Sequence, residues 1–140
     1  MPVRLPILVA SLLLCGSAQA VEWFTVIGDK NDPAVDTAQL DISTVARKNN
    51  NLMLRFRVNL AMPRKLGGTE VYQSYVSHIT IECATKSVFH EDQIRFRDAL
   101  WQGPTHSEQF IQPKPMAFGG LYPDPKPKIL AAACQSRLKP

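Results

Sequence analysis

The stretch LMLRFRVNL, residues 52–60, decides the fold because its apolar and polar residues alternate strictly. Every second residue is apolar and shares one face: Leu52, Leu54, Phe56, Val58 and Leu60. The intervening residues share the other face: Met53, Arg55, Arg57 and Asn59. Side chains of a β-strand point alternately to the two faces of its sheet. The pattern therefore predicts an antiparallel strand with one buried face and one solvent-facing face.

Two further strands are predicted upstream of this stretch. Residues 21–28 alternate in polarity and predict the first strand. A short strand is predicted at residues 39–42, followed by a turn at residues 43–46. Residues 49–51 are three asparagines, which are typical of a tight turn between two strands.

Two long strands are predicted downstream, after a basic loop at residues 63–68 that ends in two glycines. Residues 70–83 are rich in β-branched and aromatic side chains, and their alternation directs Cys83 toward the core. Residues 86–96 continue the sheet as one strand or two. Their core candidates are Val88, Ile94 and Phe96.

The C-terminal third is expected to switch from strand to coil and then to helix. Residues 105–123 contain three prolines and a pair of glycines, and predict an irregular coil wrapped on the domain. A helix is expected from Asp124, which would cap it, with one apolar face made of Ile129, Leu130, Ala133 and Cys134. The expected fold is α+β: an antiparallel sheet of five or six strands with a C-terminal helix packed on it.

The N-terminus has the three parts of a secretory signal peptide. Arg4 is followed by an apolar run from Ile7 to Cys15 and by the small-residue pattern Ala18-Gln19-Ala20. Cleavage after Ala20 is expected, leaving a single domain of residues 21–140 with no further transmembrane span. A buried N-terminal strand or helix is the alternative. Lipidation of Cys15 is a second alternative, and Leu14 before it fits a lipidation signal poorly.

Cleavage would leave two cysteines, Cys83 and Cys134. An oxidising compartment and an even count favour a disulfide, and the helix face that carries Cys134 is expected to meet the sheet face that carries Cys83. A bridge across about 50 residues stabilises a domain by roughly 4 kcal/mol in the chain-entropy model. Two buried free thiols are the alternative.

Composition and motifs argue against an enzyme and against a nucleic-acid-binding protein. The net charge is +4, and loss of Arg4 with the leader would lower it to +3, which is only mildly basic. The histidines, at positions 78, 90 and 106, do not have metal-ligand spacing, and no nucleophile motif occurs. We therefore predict no catalytic residue, no metal and no cofactor. His78 is expected on the solvent-facing side of its strand, with a metal or haem ligand as the alternative.

The basic residues are the candidate binding residues. Arg55 and Arg57 face outward on the central strand, and Arg95 and Arg97 repeat the same spacing on a later strand. If the strands are neighbours, these arginines form one basic face that could grip carboxylate, sulfate or phosphate groups. The candidate set also includes two loop residues and an aromatic anchor: Arg64, Lys65 and Tyr72. An ordinary polar surface is the alternative.

Four segments, in order, resemble the surface-adhesin protein E family. They are Leu40 to Val45, Tyr72-Gln73-Ser74 through Cys83-Ala84, Val88 through Trp101-Gln102-Gly103, and Ile129 to Cys134. The resemblance spans nearly all of residues 21–140. It implies a six-stranded antiparallel sheet, a Cys83–Cys134 bridge, an envelope location in a Gram-negative cell, and binding of host extracellular-matrix and serum proteins.

The resemblance also implies where binding occurs and where the chain is displayed. The family's best-known member is a surface lipoprotein that binds through the neighbourhood of its first cysteine strand, which corresponds here to residues 69–83. That region is more basic in the relative, whereas Gln73, Ser77 and Thr80 are neutral here. Leu14 departs from the lipoprotein pattern, so a periplasmic protein is expected as well as a surface one. A periplasmic small-ligand or haem-binding protein using His78 or His90 is the alternative function.

Overall fold

A computed structural model describes residues 20–115 and 120–135 of the 140-residue chain. The strands are β1 (Trp23–Ile27), β2 (Thr37–Lys48), β3 (Asn51–Leu66), β4 (Glu70–Glu82), β5 (Ser87–Phe96) and β6 (Thr105–Pro115). A 3-10 turn, Ala99–Trp101, precedes β6, and helix α1, Lys126–Cys134, ends the described chain. The expected leader, apart from Ala20, lies outside the described residues, and so does Cys15.

The six strands form one antiparallel sheet in chain order, β1-β2-β3-β4-β5-β6. Each strand pairs with the strand that follows it along the chain. Asn49 and Asn50, which join β2 to β3, both have positive φ angles of 49° and 68°. Asparagine tolerates this left-handed conformation better than most residues, and such turns match the twist of a hairpin. The expected turn is thus confirmed.

The core lies between the sheet and α1. The five apolar residues of one β3 face are all buried, and Ile79, Ile81, Ile129 and Ala133 join them. Leu130 and Cys134 pack against this cluster, which confirms the predicted helix face. A disulfide joins Cys83 to Cys134 with a Cα–Cα distance of 5.5 Å. Across residues 20–115 and 120–135, no helix combines the length and the hydropathy needed to cross a membrane. The predicted α+β fold with one disulfide is confirmed.

Three predicted boundaries are wrong. β2 continues to Lys48 instead of ending before a turn at residues 43–46. The Asp41 carboxylate accepts hydrogen bonds from the backbone N–H and the hydroxyl of Ser43. Residues 43–46 therefore form an irregularity of the β-bulge type within the strand. β3 continues to Leu66, because pairing with β4 resumes at Arg64, so residues 63–66 are strand and not loop. The cap of α1 is Pro125, although the Asp124 carboxylate does accept a bond from the Lys126 N–H at 2.9 Å.

The expected coil at residues 105–123 is also wrong over its first half. Residues 105–115 form β6, the edge strand beside β5. Its side chains are mostly exposed on both faces, so no apolar alternation marks it in the sequence. Pro113 and Pro115 fit there because an edge strand has one side free of ladder hydrogen bonds.

The predicted core of β5 is only partly right. Val88 is buried, but Ile94 is 37% exposed and Arg95 is 3% exposed. The pairing with β6 shifts register between His90 and Asp92, and the pairing with β4 shifts opposite the same residues. An extra residue in a strand exchanges the faces of everything that follows it. The shift therefore directs Arg95 to the α1 side of the sheet and Ile94 to the opposite side.

Candidate functional site

The face of the sheet opposite α1, here called the outer face, carries a stack of one arginine and two tryptophans. The guanidinium carbon of Arg57 lies 4.1 Å from the ring centre of Trp23 and 3.8 Å from that of Trp101. Arg57 is on β3, Trp23 on β1 and Trp101 in the 3-10 turn. We call these three residues the Arg–Trp stack. Cation–π contacts on both sides of a guanidinium fix its plane and its position.

Side-chain hydrogen bonds hold the stack from the neighbouring strands. Arg57 Nε donates to Gln39 Oε1 at 2.7 Å, and Gln39 Nε2 donates to Thr25 Oγ1 at 2.9 Å. Thr25, Gln39 and Arg57 are successive cross-strand partners on β1, β2 and β3. Gln39 is fully buried, so its two bonds satisfy both ends of an amide that water does not reach. Arg57 is therefore ordered before any partner arrives.

A second row of partners, Trp23, Asp41 and Arg55, runs beside the first. Arg55 lies over the other part of Trp23, with its guanidinium carbon 5.4 Å from the ring centre. Its Nη1 is 3.7 Å from Asp41 Oδ2. Asp41 is fully buried, and its Oδ2 has no hydrogen-bond partner among the described residues. The carboxylate thus offsets part of the charge of Arg55 at ion-pair distance without a hydrogen bond.

The surroundings of Arg57 disfavour its positive charge. Burial, followed by repulsion from Arg55, lowers the pKa of Arg57 to about 10, while attraction from Asp41 raises it. The guanidinium still carries its charge at neutral pH. A partly desolvated cation beside a second cation is stabilised when an anion approaches.

Two buried polar residues of the outer face position Trp101. Asn59 Oδ1 accepts a bond from the Leu100 N–H at 2.8 Å, and Ser74 Oγ accepts one from the Trp101 N–H at 2.9 Å. Leu100 and Trp101 have positive φ angles of 53° and 61°, a conformation that side chains other than glycine adopt only where the surroundings impose it. The Trp101 indole N–H donates to the Val58 carbonyl at 3.2 Å. These bonds fix the ring over Arg57.

A groove of about 750 Å³ opens on the same face beside the stack, with Arg55 in its wall. Met53 and Thr44 line it as well. His78, on β4, donates its backbone N–H to Asp92 Oδ1 at 2.8 Å, and its Nδ1 lies 2.7 Å from Asp92 Oδ2. The expectation that His78 faces solvent is consistent with its side chain, which is 57% exposed. The groove thus combines a thioether, an imidazole–carboxylate pair and one guanidinium.

The predicted single face of four arginines does not form. Arg95 lies on the α1 side, where it bonds both oxygens of Glu70 at 2.7 and 3.2 Å and Glu108 Oε2 at 3.0 Å. Burial lowers the pKa of Arg95, but these bonds outweigh burial and the net shift is upward. Arg97 is exposed just after β5 and is not on the stack. Arg55 and Arg57 alone are brought together as expected.

The remaining candidates are scattered. Tyr72 is partly buried and packs against the core beside Tyr75, with ring centres 6.5 Å apart, so it is not an exposed anchor. Lys65 is exposed near the end of β3. Arg64 is half-buried, and its guanidinium lies so close to Gly120 that a Cβ there would be 2.6 Å from Nη2.

His90 belongs to the interior. Its Nδ1 lies 2.6 Å from Ser77 Oγ, and its ring meets the Tyr75 ring edge-on at 6.0 Å. Burial lowers the pKa of His90 to about 4, against a smaller upward effect of Asp92. Ser77 is 1% exposed, so this serine–histidine pair has no access to a substrate. Within the described residues, no group of three or more histidine, cysteine and carboxylate side chains is arranged to hold a metal ion.

Trp23, Trp101, Gln39 and Asn59 are the residues of the outer face that sequence reasoning missed. One signal was present: the chain has only two tryptophans, and Trp23 alternates on β1 with residues that face inward. The sequence around Trp101 does not indicate on which side of the sheet its ring lies. That position depends on hydrogen bonds to Asn59 and Ser74, which are distant in the chain.

The fold and the outer face define a small α+β domain with one disulfide and one sheet face left open by the described helix. The chain belongs to the surface-adhesin protein E family, whose family model matches residues 23–135. The family is one of surface adhesins, so an adhesin-like domain is established. A comparison with curated proteins gives no match.

The chain is similar to solved structures of protein E. Crystal form II of Haemophilus influenzae protein E shares 13% identity with a TM-score of 0.50, over 70% of this chain and 80% of that chain. Protein E from non-typeable Haemophilus influenzae shares 12% identity with a TM-score of 0.49, over 89% of this chain and 85% of that chain. At 13% identity, the likeness to crystal form II concerns the fold alone.

Proposed function

We propose that this chain is a non-enzymatic, exported envelope protein whose outer face binds a protein or polyanionic partner, either a host extracellular-matrix component or another envelope protein. The observation that carries the proposal is the Arg–Trp stack on the open face of an adhesin-family domain. Tryptophan and arginine are the side chains most enriched among residues that dominate binding energy at protein interfaces.

The order of the stack supports this proposal. Arg57 is held by Gln39 and by two indole rings, and the turn that carries Trp101 is held by Asn59 and Ser74. Binding normally costs entropy for each side chain that becomes immobile, and a pre-ordered arginine avoids much of that cost. The groove beside Arg55 offers adjoining concave surface. Lys65 and Arg97 would contribute to a rim at most, because they lie apart from the stack and are exposed.

Export follows in this proposal from the leader at residues 1–20 and from the Cys83–Cys134 disulfide, which forms in oxidising compartments. The compartment would be the periplasm or the outer surface of a Gram-negative cell. The intact mass of the exported protein tests these points together. A mass that begins at Val21 and lacks two hydrogens supports the proposal. A mass that retains the leader contradicts it, whereas lipid on Cys15 would keep export and move the cleavage site from Ala20 to the residue before Cys15.

Binding is tested with a double variant, Arg55→Gln with Arg57→Gln, against immobilised extracellular-matrix proteins and heparin. We expect the variant to lose most of the binding shown by the unmodified domain. Arg47→Gln is the matched control, because Arg47 is exposed on β2 and pairs with Leu52, on the α1 side. Unmodified domain that binds nothing, or a double variant that binds as well as the control, would contradict the proposal.

A periplasmic ligand- or haem-binding protein is the second candidate, and one contact favours it. His78 Nδ1 lies 2.7 Å from an Asp92 carboxylate, an arrangement that orients ligating histidines in metal and haem sites. Met53 lines the same groove. His90 is unsuitable because it is buried and bonded to Ser77. Addition of haem should shift the Soret band, and His78→Ala should abolish the shift; an unshifted band removes this candidate.

A further inference from the structure

The Arg–Trp stack leaves one part of Arg57 without a partner. The guanidinium carbon lies over the Trp23 ring at 4.1 Å and over the Trp101 ring at 3.8 Å, and Nε donates to Gln39. Among residues 20–115 and 120–135, no hydrogen-bond acceptor is placed on Nη1 or Nη2. The side chain is nevertheless partly buried. Four N–H donors at the end of a charged fork are thus presented edge-on, between two indole rings.

Arg57 forms no ion pair within residues 20–115 and 120–135. Arg55 is the nearest cation, and the only carboxylate paired with it is Asp41, at 3.7 Å. Asp41 is fully buried, and the hydroxyl and N–H of Ser43 hold its Oδ1, so it is not free to turn toward Arg57. Asp41 attracts Arg57 without forming an ion pair with it, and the carboxylates of Glu91 and Asp92 line the groove beside Arg55. Buried or half-buried charges are normally paired, so the charge of Arg57 is suited to an incoming anion.

The geometry restricts the shape of that anion. A guanidinium that is stacked on both sides binds only in its own plane, through its end. A carboxylate is planar and matches two parallel N–H donors with two oxygens. A carboxylate bound in this way keeps its atoms in the plane of the guanidinium, whereas a tetrahedral phosphate or sulfate group also has oxygens above and below that plane.

We propose that the Arg–Trp stack is a receptor for the carboxylate of an aspartate or glutamate side chain in the partner protein. This inference rests on the proposed function, because it names the chemistry that the outer face recognises. The carboxylate lies end-on to Arg57 and makes two charge-assisted hydrogen bonds with Nη1 and Nη2. Arg55 adds long-range attraction from the neighbouring row. The partner segment is therefore acidic.

The chain supplies its own reporter for this binding. It has only two tryptophans, and both flank Arg57, so intrinsic tryptophan fluorescence comes entirely from the stack. The exported domain is titrated with three capped peptides of equal length, in which glutamate, glutamine or phosphoserine occupies the same positions between glycine and serine residues. Ionic strength is held constant. We expect saturable quenching or shift with the glutamate peptide and none with the glutamine peptide.

Variants locate the site. Arg57→Gln should raise the dissociation constant of the glutamate peptide by at least about tenfold, which is the loss expected for hydrogen bonds to a charged group. Arg57→Lys keeps the positive charge but loses the two parallel N–H donors of the guanidinium. It should raise the dissociation constant of the glutamate peptide severalfold. Arg47→Gln should bind as the unmodified domain does. Equal response to glutamate and glutamine peptides, or tighter binding of the phosphoserine peptide, overturns the inference, and both readings come from the unmodified domain without any question of misfolding.

The same measurements separate this inference from the proposed function. If matrix-protein binding depends on Arg55 and Arg57 while the glutamate peptide produces no signal, the carboxylate inference fails and the binding face stands. If the double variant binds matrix proteins and heparin normally while the glutamate peptide still binds at Arg57, the outer face is not where these partners bind and the carboxylate site stands.

Discussion

Arg57 and Trp101 are in direct contact, with the guanidinium carbon 3.8 Å from the ring centre, although they lie on different elements of the fold. The contact depends on Asn59, which is two residues from Arg57 on the same face of β3 and is fully buried. Asn59 bonds the Leu100 N–H through Oδ1 and the Pro33 and Val35 carbonyls through Nδ2. One amide therefore ties the turn that carries Trp101 to the loop before β2.

Replacement of Asn59 by alanine should release this turn. Three hydrogen bonds of a fully buried side chain are lost, so we expect the free energy of unfolding to fall by about 2–4 kcal/mol. Urea denaturation measures that loss. Trp101 should become more exposed at the same time, which would shift tryptophan emission to longer wavelength in the folded protein.

Asn31→Ala is the matched control, because the Asn31 side chain is exposed in the loop before β2. We expect its stability to stay within about 0.5 kcal/mol of the unmodified domain and its emission to stay unchanged. If Asn59→Ala keeps both the stability and the emission maximum, Asn59 does not position the stack.

The sequence predicts those parts of the fold that depend on unbroken alternation. The pairing of β3 with β4 has no register shift from Leu52 to Asn59, so the buried and exposed faces of this stretch follow directly from the pattern. In β5, Val88, Ile94 and Phe96 share one parity in the sequence, but the register shift between His90 and Asp92 places Arg95 on the α1 side. Such a bulge is fixed by pairing with both neighbouring strands, and a single strand's sequence does not contain that information.

The residues of the candidate site also differ in whether strand alternation predicts their position. Arg55 and Arg57 are predictable because strand parity places them. Trp101 is not, because its position requires hydrogen bonds from Asn59 and Ser74 to a turn that lies 41 and 27 residues away along the chain. The Cys83–Cys134 pairing is predictable in part because the expected mature chain has only two cysteines.

Loss of the disulfide should weaken the domain and free α1 from the sheet. The bridge closes a loop of 51 residues between β4 and the last residue of α1. For such a loop, the chain-entropy model predicts a loss of about 4 kcal/mol in Cys83→Ser with Cys134→Ser. Urea denaturation of the oxidised domain, the reduced domain and the double variant measures it. Reduced and variant proteins should agree; equal stability of all three contradicts a stabilising role of the bridge.

Arg95→Gln should destabilise the domain without affecting the outer face. The Arg95 side chain is 3% exposed and compensates both Glu70 and Glu108. Removal of the guanidinium leaves the carboxylates of Glu70 and Glu108 without their partner. We expect the free energy of unfolding to fall by about 2–4 kcal/mol, and not by more, because both carboxylates are partly hydrated. Thermal or urea unfolding tests this. Arg97→Gln, at an exposed arginine two residues away, is the control and should change stability by less than about 0.5 kcal/mol. Comparable loss in both variants would mean that Arg95 has no special structural role.

His90 should make the domain less stable as the pH falls below neutrality. Burial lowers its folded-state pKa to about 4, whereas the unfolded chain protonates histidine near pH 6.5. Between these values the unfolded state binds more protons, so the free energy of unfolding decreases as the pH drops. The expected loss is about 2 kcal/mol between pH 6.5 and 4.5, measured by urea denaturation at each pH.

The pH range of this measurement ends at 4.5 because a second group also changes the free energy of unfolding below that pH. The hydrogen bond from Arg95 lowers the pKa of Glu70, so protonation of Glu70 removes further stability at lower pH. His90→Gln should be less stable than the unmodified domain at pH 7, because Ser77 Oγ loses its contact with the imidazole at 2.6 Å. The free energy of unfolding of this variant should nevertheless depend much less on pH between 6.5 and 4.5. His106→Gln, at an exposed histidine on β6, should retain the dependence. An unchanged slope in His90→Gln would assign the acid sensitivity to another group.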